Sequence, residues 1–77
     1  MMRLKSSSDF MAFLRKAKTC EGTVQLKTTD GDTLDLRSTL CQMIAVVTIR
    51  KLRKADSVEI WCEKDGDYLL LKDYLTE

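Results

Sequence analysis

The chain has 77 residues, with 13 Lys and Arg against 12 Asp and Glu and no His, for a formal net charge of +1. That length suits one domain, residues 1–77, near the lower limit for a core that folds without staples, and the near-balanced charge supplies no global field for nucleic acid or a membrane surface. The missing imidazole excludes Ser–His and Cys–His nucleophile pairs, imidazole acid–base catalysis and phosphohistidine chemistry.

Met2-Arg3-Leu4 alternates and predicts a brief first strand. Ser6, Ser7, Ser8 and Asp9 then stand ahead of Phe10, Phe13, Leu14 and Ala17, the i, i+3, i+4, i+7 stripe of an amphipathic helix. The serines read as caps for that helix, with Asp9 just inside it, and Arg15, Lys16 and Lys18 complement the dipole at its far end. Val24 and Leu26 alternate with Gln25 and Lys27, and Leu34 and Leu36 do the same after Asp30-Gly31, which together predict an antiparallel hairpin.

Ser38 follows as an N-cap, and Leu40, Met43, Ile44 and Val47 form a second helical stripe. The helix is expected through about Val47, and its continuation to Leu52 is left open by the β-branched run around it. Val58, Ile60 and Cys62 alternate with Glu59, Trp61 and Glu63 in a further strand. The last segment, from Asp67-Tyr68 to Leu75, places Tyr68, Leu71, Tyr74 and Leu75 near helical spacing. Asp65-Gly66 also fits a hairpin with Tyr68 to Leu71 as a fifth strand; length and the closing Leu75 favour helix. The order βαββαβα predicts an α+β fold, a four-stranded, mostly antiparallel sheet with helices on one face.

No apolar run reaches the about 20 residues of a membrane span. The start MMRLKSSSD lacks the apolar region of a signal peptide. Cys20, Cys41 and Cys62 are widely spaced among apolar neighbours, which predicts buried thiols in a reducing cytosol and no metal site or cofactor.

Several strings taken in order resemble the histidine-containing phosphocarrier protein family (HPr) of the bacterial sugar phosphotransferase system. Phe13-Leu14-Arg15-Lys16-Ala17-Lys18 is similar to the family's first helix, F-V-K-x-A. Val24, Leu26, Asp30-Gly31 and Leu34 resemble its central hairpin, and Leu36-Arg37-Ser38-Thr39-Leu40 with Met43 resembles its L-K-S-I-M-x-x-M stretch. The resemblance covers nearly the whole chain and implies an open-faced β-sandwich of HPr type.

Two departures stand out. The family carries its phosphoryl group on a histidine within G-x-H-x-R-P; counting back from Phe13 places Ser6 at the histidine, Ser8 at the arginine and Asp9 at the proline. The preceding loop is also shorter, and the stretch between Met43 and Val58 is longer and adds RKLRK. A serine phosphate is too inert to replace a phosphoramidate as a reversible carrier, so the resemblance implies a homologue without phosphocarrier activity, Ser6 being non-functional. With no nucleophile–base pair, an enzyme is not expected.

In one branch of the family the serine equivalent to Ser38 is phosphorylated by a dedicated kinase, and the product acts with a catabolite-control transcription factor. The resemblance therefore makes Ser38 a candidate regulatory phosphorylation site with Arg37 beside it, against simple helix capping. Thr39, Leu40 and Met43 become candidates for partner docking alongside the first helix, either for a regulator or for an HPr-type serine kinase. No small-molecule substrate is expected. Arg50, Lys51, Arg53 and Lys54 form the densest charge run, a solvated face or a contact for an acidic protein, with Arg37, Arg50 and Lys51 as candidate partner-binding residues, or, alternatively, the contact of a small nucleic-acid-binding domain. Trp61, between Glu59 and Glu63, is either an exposed anchor or part of a packed sheet face.

Overall fold

The computed structural model describes residues 2–5, 9–29, 31–52 and 58–77. Expectations resting on Ser6, Ser7, Ser8, Asp30, Arg53, Lys54 and Ser57 lie outside the described residues. The elements run β1 (Met2–Leu4), α1 (Phe10–Ala17), β2 (Val24–Lys27), β3 (Thr33–Asp35), α2 (Thr39–Leu52), β4 (Glu59–Cys62), α3 (Asp65–Leu70), a 3₁₀ turn (Lys72–Tyr74) and β5 (Leu75–Thr76).

The fold is α+β, as the alternation and the helical stripes require, but the sheet has five strands rather than four. Its order is β3-β2-β4-β1-β5, with every adjacent pair antiparallel. The fifth strand is neither Tyr68 to Leu71 nor a continuation of helix. The chain turns helical at Asp65–Leu70, tightens through the 3₁₀ turn and then extends for two residues. Those two pair Leu75 with Leu4 and Thr76 with Arg3. The Lys5 N–H donates to the Tyr74 carbonyl at 2.8 Å. A three-residue β1 would otherwise end the sheet with a row of unpaired backbone groups, and β5 closes that edge.

Asp9 stands at the N-cap of α1 rather than just inside the helix: its Oδ1 accepts the Ala12 N–H at 3.2 Å. Phe13, Leu14 and Ala17 are buried, and Phe13 packs its ring on Phe10 at 6.0 Å and on Tyr74 at 5.9 Å. The β2–β3 hairpin turns at Gly31, whose φ of 90° is open to glycine at no steric cost.

The inner face of the sheet is Leu4, Val24, Leu26, Ile60 and Cys62, all buried against Phe13, Leu14, Ala17, Ala45 and Leu71 from the helices. Each fully buried Leu, Ile or Phe contributes about 1.5–3 kcal/mol. Alternation sends Arg3, Gln25, Lys27, Glu59 and Trp61 to the other face, where Lys27 Nζ lies 5.8 Å from the centre of the Trp61 ring.

Helix α2 runs on through Leu52. Its orientation is the least ordinary feature of the fold. Among its described side chains, the only fully buried hydrophobic one is Ala45, with Val46 and Ile49 half-buried beside it. Leu40, Met43, Ile44 and Val47, the stripe that would normally seek a core, face outward. Alanine allows close approach, and a polar pin holds the helix: the Gln42 side-chain amide donates to the Leu36 carbonyl at 2.7 Å and to the Leu14 carbonyl at 3.0 Å.

Candidate docking surface

On an α-helix, residues at i, i+3, i+4 and i+7 fall within one arc. On α2 that arc holds Leu40, Met43, Ile44 and Val47, which are 67%, 63%, 45% and 52% exposed. Together with Thr48 and Lys51 they line a shallow, open groove along the helix. Four large aliphatic side chains in one contiguous exposed patch differ from the scattered exposed apolar residues of an ordinary surface.

The electrostatic setting is one-sided. No Asp or Glu occurs from Phe10 to Cys20 or from Leu36 to Leu52, whereas Arg15, Lys16, Lys18, Arg37, Arg50 and Lys51 all lie in those segments. These six side chains are exposed. Lys18, at the end of α1, donates from its ammonium to Thr39 Oγ1 at 2.8 Å and so joins the basic end of α1 to the start of α2.

Ser38 sits where the groove begins. Its N–H donates to the Asp35 carbonyl at 3.0 Å, its carbonyl accepts the Gln42 N–H at 2.9 Å, and its Oγ accepts the Cys41 N–H at 3.4 Å. That is an N-cap. Arg37 is tied elsewhere: its N–H donates to Asp35 Oδ1 at 3.0 Å and its guanidinium to the Glu21 carbonyl at 3.4 Å. Thr39, Leu40 and Met43 fall on the outward arc of α2, and Arg50 and Lys51 extend it towards the C-terminal end. Ser6 lies outside the described residues, but its neighbour Asp9 occupies the mouth of α1 with a carboxylate.

Away from α2, a hollow between the α1–β2 loop and α3 is lined by Thr19, Glu21, Lys64, Asp65, Gly66, Asp67 and Leu70. The buried Asp67 beside it already accepts the N–H groups of Glu21 and Gly22 at 3.1 and 2.9 Å, so its role is to clamp the loop. The cysteines are free thiols. Burial above all, then the neighbouring Cys20 and Asp67, pushes the Cys62 thiol up to about 12. Burial and then Asp67 also raise Cys20, more than Arg37 and Lys16 lower it. Trp61 is 38% exposed on the opposite face of the sheet.

Gln42 and Asp67 are the polar residues that sequence reasoning passed over. Gln42 had a visible signal, a lone amide in the apolar run LCQMIAVV. Among the described residues no helix is long and apolar enough to cross a membrane. No family model, curated protein or solved structure matches this chain significantly.

Proposed function

We propose that this chain is a cytosolic, HPr-like regulatory module that binds a protein partner through the outward face of α2, without phosphocarrier or enzymatic activity. The observation that carries the reading is the exposed aliphatic stripe Leu40, Met43, Ile44 and Val47, which begins beside the capping serine. The element order of the resemblance, strand-helix-strand-strand-helix-strand-helix, is present from β1 to α3 and supports an open-faced β-sandwich of HPr type. Asp9 supports the loss of phosphoryl transfer: a carboxylate at the N-terminus of α1 repels the incoming phosphate that an empty helix end would welcome.

A phosphate on Ser38 would meet the unpaired N–H groups and positive dipole end of α2, next to the docking stripe. Modification there would add charge at one end of an apolar contact and so switch it. The test has two arms. With phosphoenolpyruvate and the general phosphotransferase enzyme, the protein is expected to acquire no acid-labile phosphate; acquisition would overturn the loss of carrier chemistry. With an HPr-type serine kinase and ATP, intact mass is expected to rise by one phosphate, abolished by Ser38→Ala. An unchanged mass removes the switch from the proposal.

A further inference from the structure

The chain exposes a second apolar spot whose electrostatics are the inverse of the first. On α3, Leu69 is 72% exposed, more than any other large hydrophobic residue described, and Leu70 beside it is 43% exposed. Asp65 lies four residues before Leu69 and Asp73 four residues after it, both exposed. Residues 59–77 hold six acids against Lys64 and Lys72, whereas α1 and α2 hold no acid at all. The net charge of +1 therefore conceals an acidic C-terminal part and a basic remainder, each with its own exposed apolar patch.

From these two surfaces we infer that a second copy of this chain docks its α3 corner, Leu69 and Leu70 flanked by Asp65 and Asp73, on the α2 groove of Leu40, Met43, Ile44 and Val47 beside Arg50 and Lys51. The apolar side chains remove each other from water, and the carboxylates meet the cations at the rim of the contact. Pairing two α2 faces with each other is disfavoured, because the charged side chains that α2 itself carries, Arg50 and Lys51, are both basic. A nucleic acid is the poorer occupant, since the centre of the face is aliphatic and offers no aromatic ring for a base.

The contact is heterologous: it uses two different patches, so a pair joined by one contact leaves one α2 groove and one α3 corner free unless the assembly closes into a ring. Two leucines against one groove form an interface below the about 1,200 Å² of standard complexes, so the association is weak and concentration-dependent. It does not depend on the function proposed above. It does place self-association in competition with any partner for the α2 groove.

Sedimentation velocity of the intact chain from about 10 μM to about 1 mM tests it. A rise in weight-average mass across that range, suppressed by salt, is expected. The pair Arg50→Glu/Lys51→Glu and, separately, the pair Asp65→Lys/Asp73→Lys should each weaken self-association at least about tenfold with unchanged circular dichroism. Mixed one to one, these two variants should associate again, since each retains the surface the other has lost. A wild-type chain monomeric at the highest concentration overturns the inference, as does a mixture no more associated than its components. Association of the variants equal to wild type, or capture only by an acidic peptide unrelated to the chain, overturns it too. None of these outcomes alters the phosphorylation results at Ser38.

Discussion

The Asp67 carboxylate accepts the backbone N–H of Gly22 at 2.9 Å, across 45 residues of sequence, and its other oxygen accepts that of Glu21 at 3.1 Å. One buried side chain on α3 thus fixes the loop that leads from α1 into β2. Asp67→Ala leaves two amides in that loop without their acceptor, which costs about 2–3 kcal/mol. For a chain of this size the melting temperature is expected to fall by about 10–20 °C. Asp67→Asn, which keeps one acceptor oxygen, should lose clearly less. Urea unfolding of the three proteins checks both, and an alanine variant within about 0.5 kcal/mol of wild type would show that water replaces the carboxylate.

Local pattern revealed what depends on local pattern. Phe13, Leu14 and Ala17 on α1, Val24 and Leu26 on β2, and Val58, Ile60 and Cys62 at the centre of the sheet are all buried, as their spacing requires. Gly31, at a φ of 90°, lies between the paired strands β2 and β3, where a hairpin turn is expected. Long-range choices were not legible. Whether Leu75–Thr76 extends as a strand depends on β1 having a free edge, which no window around Leu75 contains. Asp67 reads as one more acid near a turn until the backbone of Gly22 is brought to it. Asp9 takes the cap of α1, although three serines precede it, because it stands at the residue whose carbonyl accepts from Phe13 at 3.0 Å. Leu40, Met43, Ile44 and Val47 are legible as a stripe, but a helix with apolar residues on several sides does not declare which arc meets the sheet.

The two raised thiols lower stability on the alkaline side. Cys62 is neutral in the folded chain up to about 12, whereas in the unfolded chain it ionises from its ordinary value of 9.0. Above pH 9 the unfolded state therefore holds fewer protons than the folded state. Stability contributed by the neutral thiol is complete below that pH and is lost as pH rises towards 12, at up to about 1.4 kcal/mol per pH unit. Cys20 adds to the slope in the same direction. The unfolding free energy measured at pH 8 and pH 10.5 should fall more for wild type than for Cys62→Val. Equal slopes would show that Cys62 does not account for the decline. At pH 8 iodoacetamide should label half-buried Cys41 in the native protein and reach Cys20 and Cys62 only on unfolding.

Ser38 closes the N-terminus of α2 by accepting the Cys41 N–H, at a long 3.4 Å. Ser38→Ala is expected to cost about 1 kcal/mol, and Ser38→Asp close to nothing, because aspartate caps as well as serine. Denaturant unfolding distinguishes them. A serine-to-alanine change without effect would mean that the backbone bonds of Asp35 and Gln42 to Ser38 suffice to start the helix.

The orientation of α2 makes the sharpest prediction, because it reverses the usual rule for an apolar stripe. Ala45 is fully buried, in the same core cluster as Leu36 and the inward residues of the sheet. Ala45→Leu adds three carbons where the neighbours are already close-packed and should destabilise by about 1–3 kcal/mol. Leu40→Gln, Met43→Gln and Val47→Gln remove only exposed apolar surface and replace it with a residue of good helix propensity, so each should stay within about 0.5 kcal/mol of wild type. Leu14→Ala supplies the scale, since a buried leucine is expected to cost about 2–5 kcal/mol. Were the stripe turned inward, the three glutamine variants would resemble Leu14→Ala and Ala45→Leu would be harmless. The opposite ranking is required here, because these aliphatic side chains lie outside the core of their own chain, where the docking proposed above would use them.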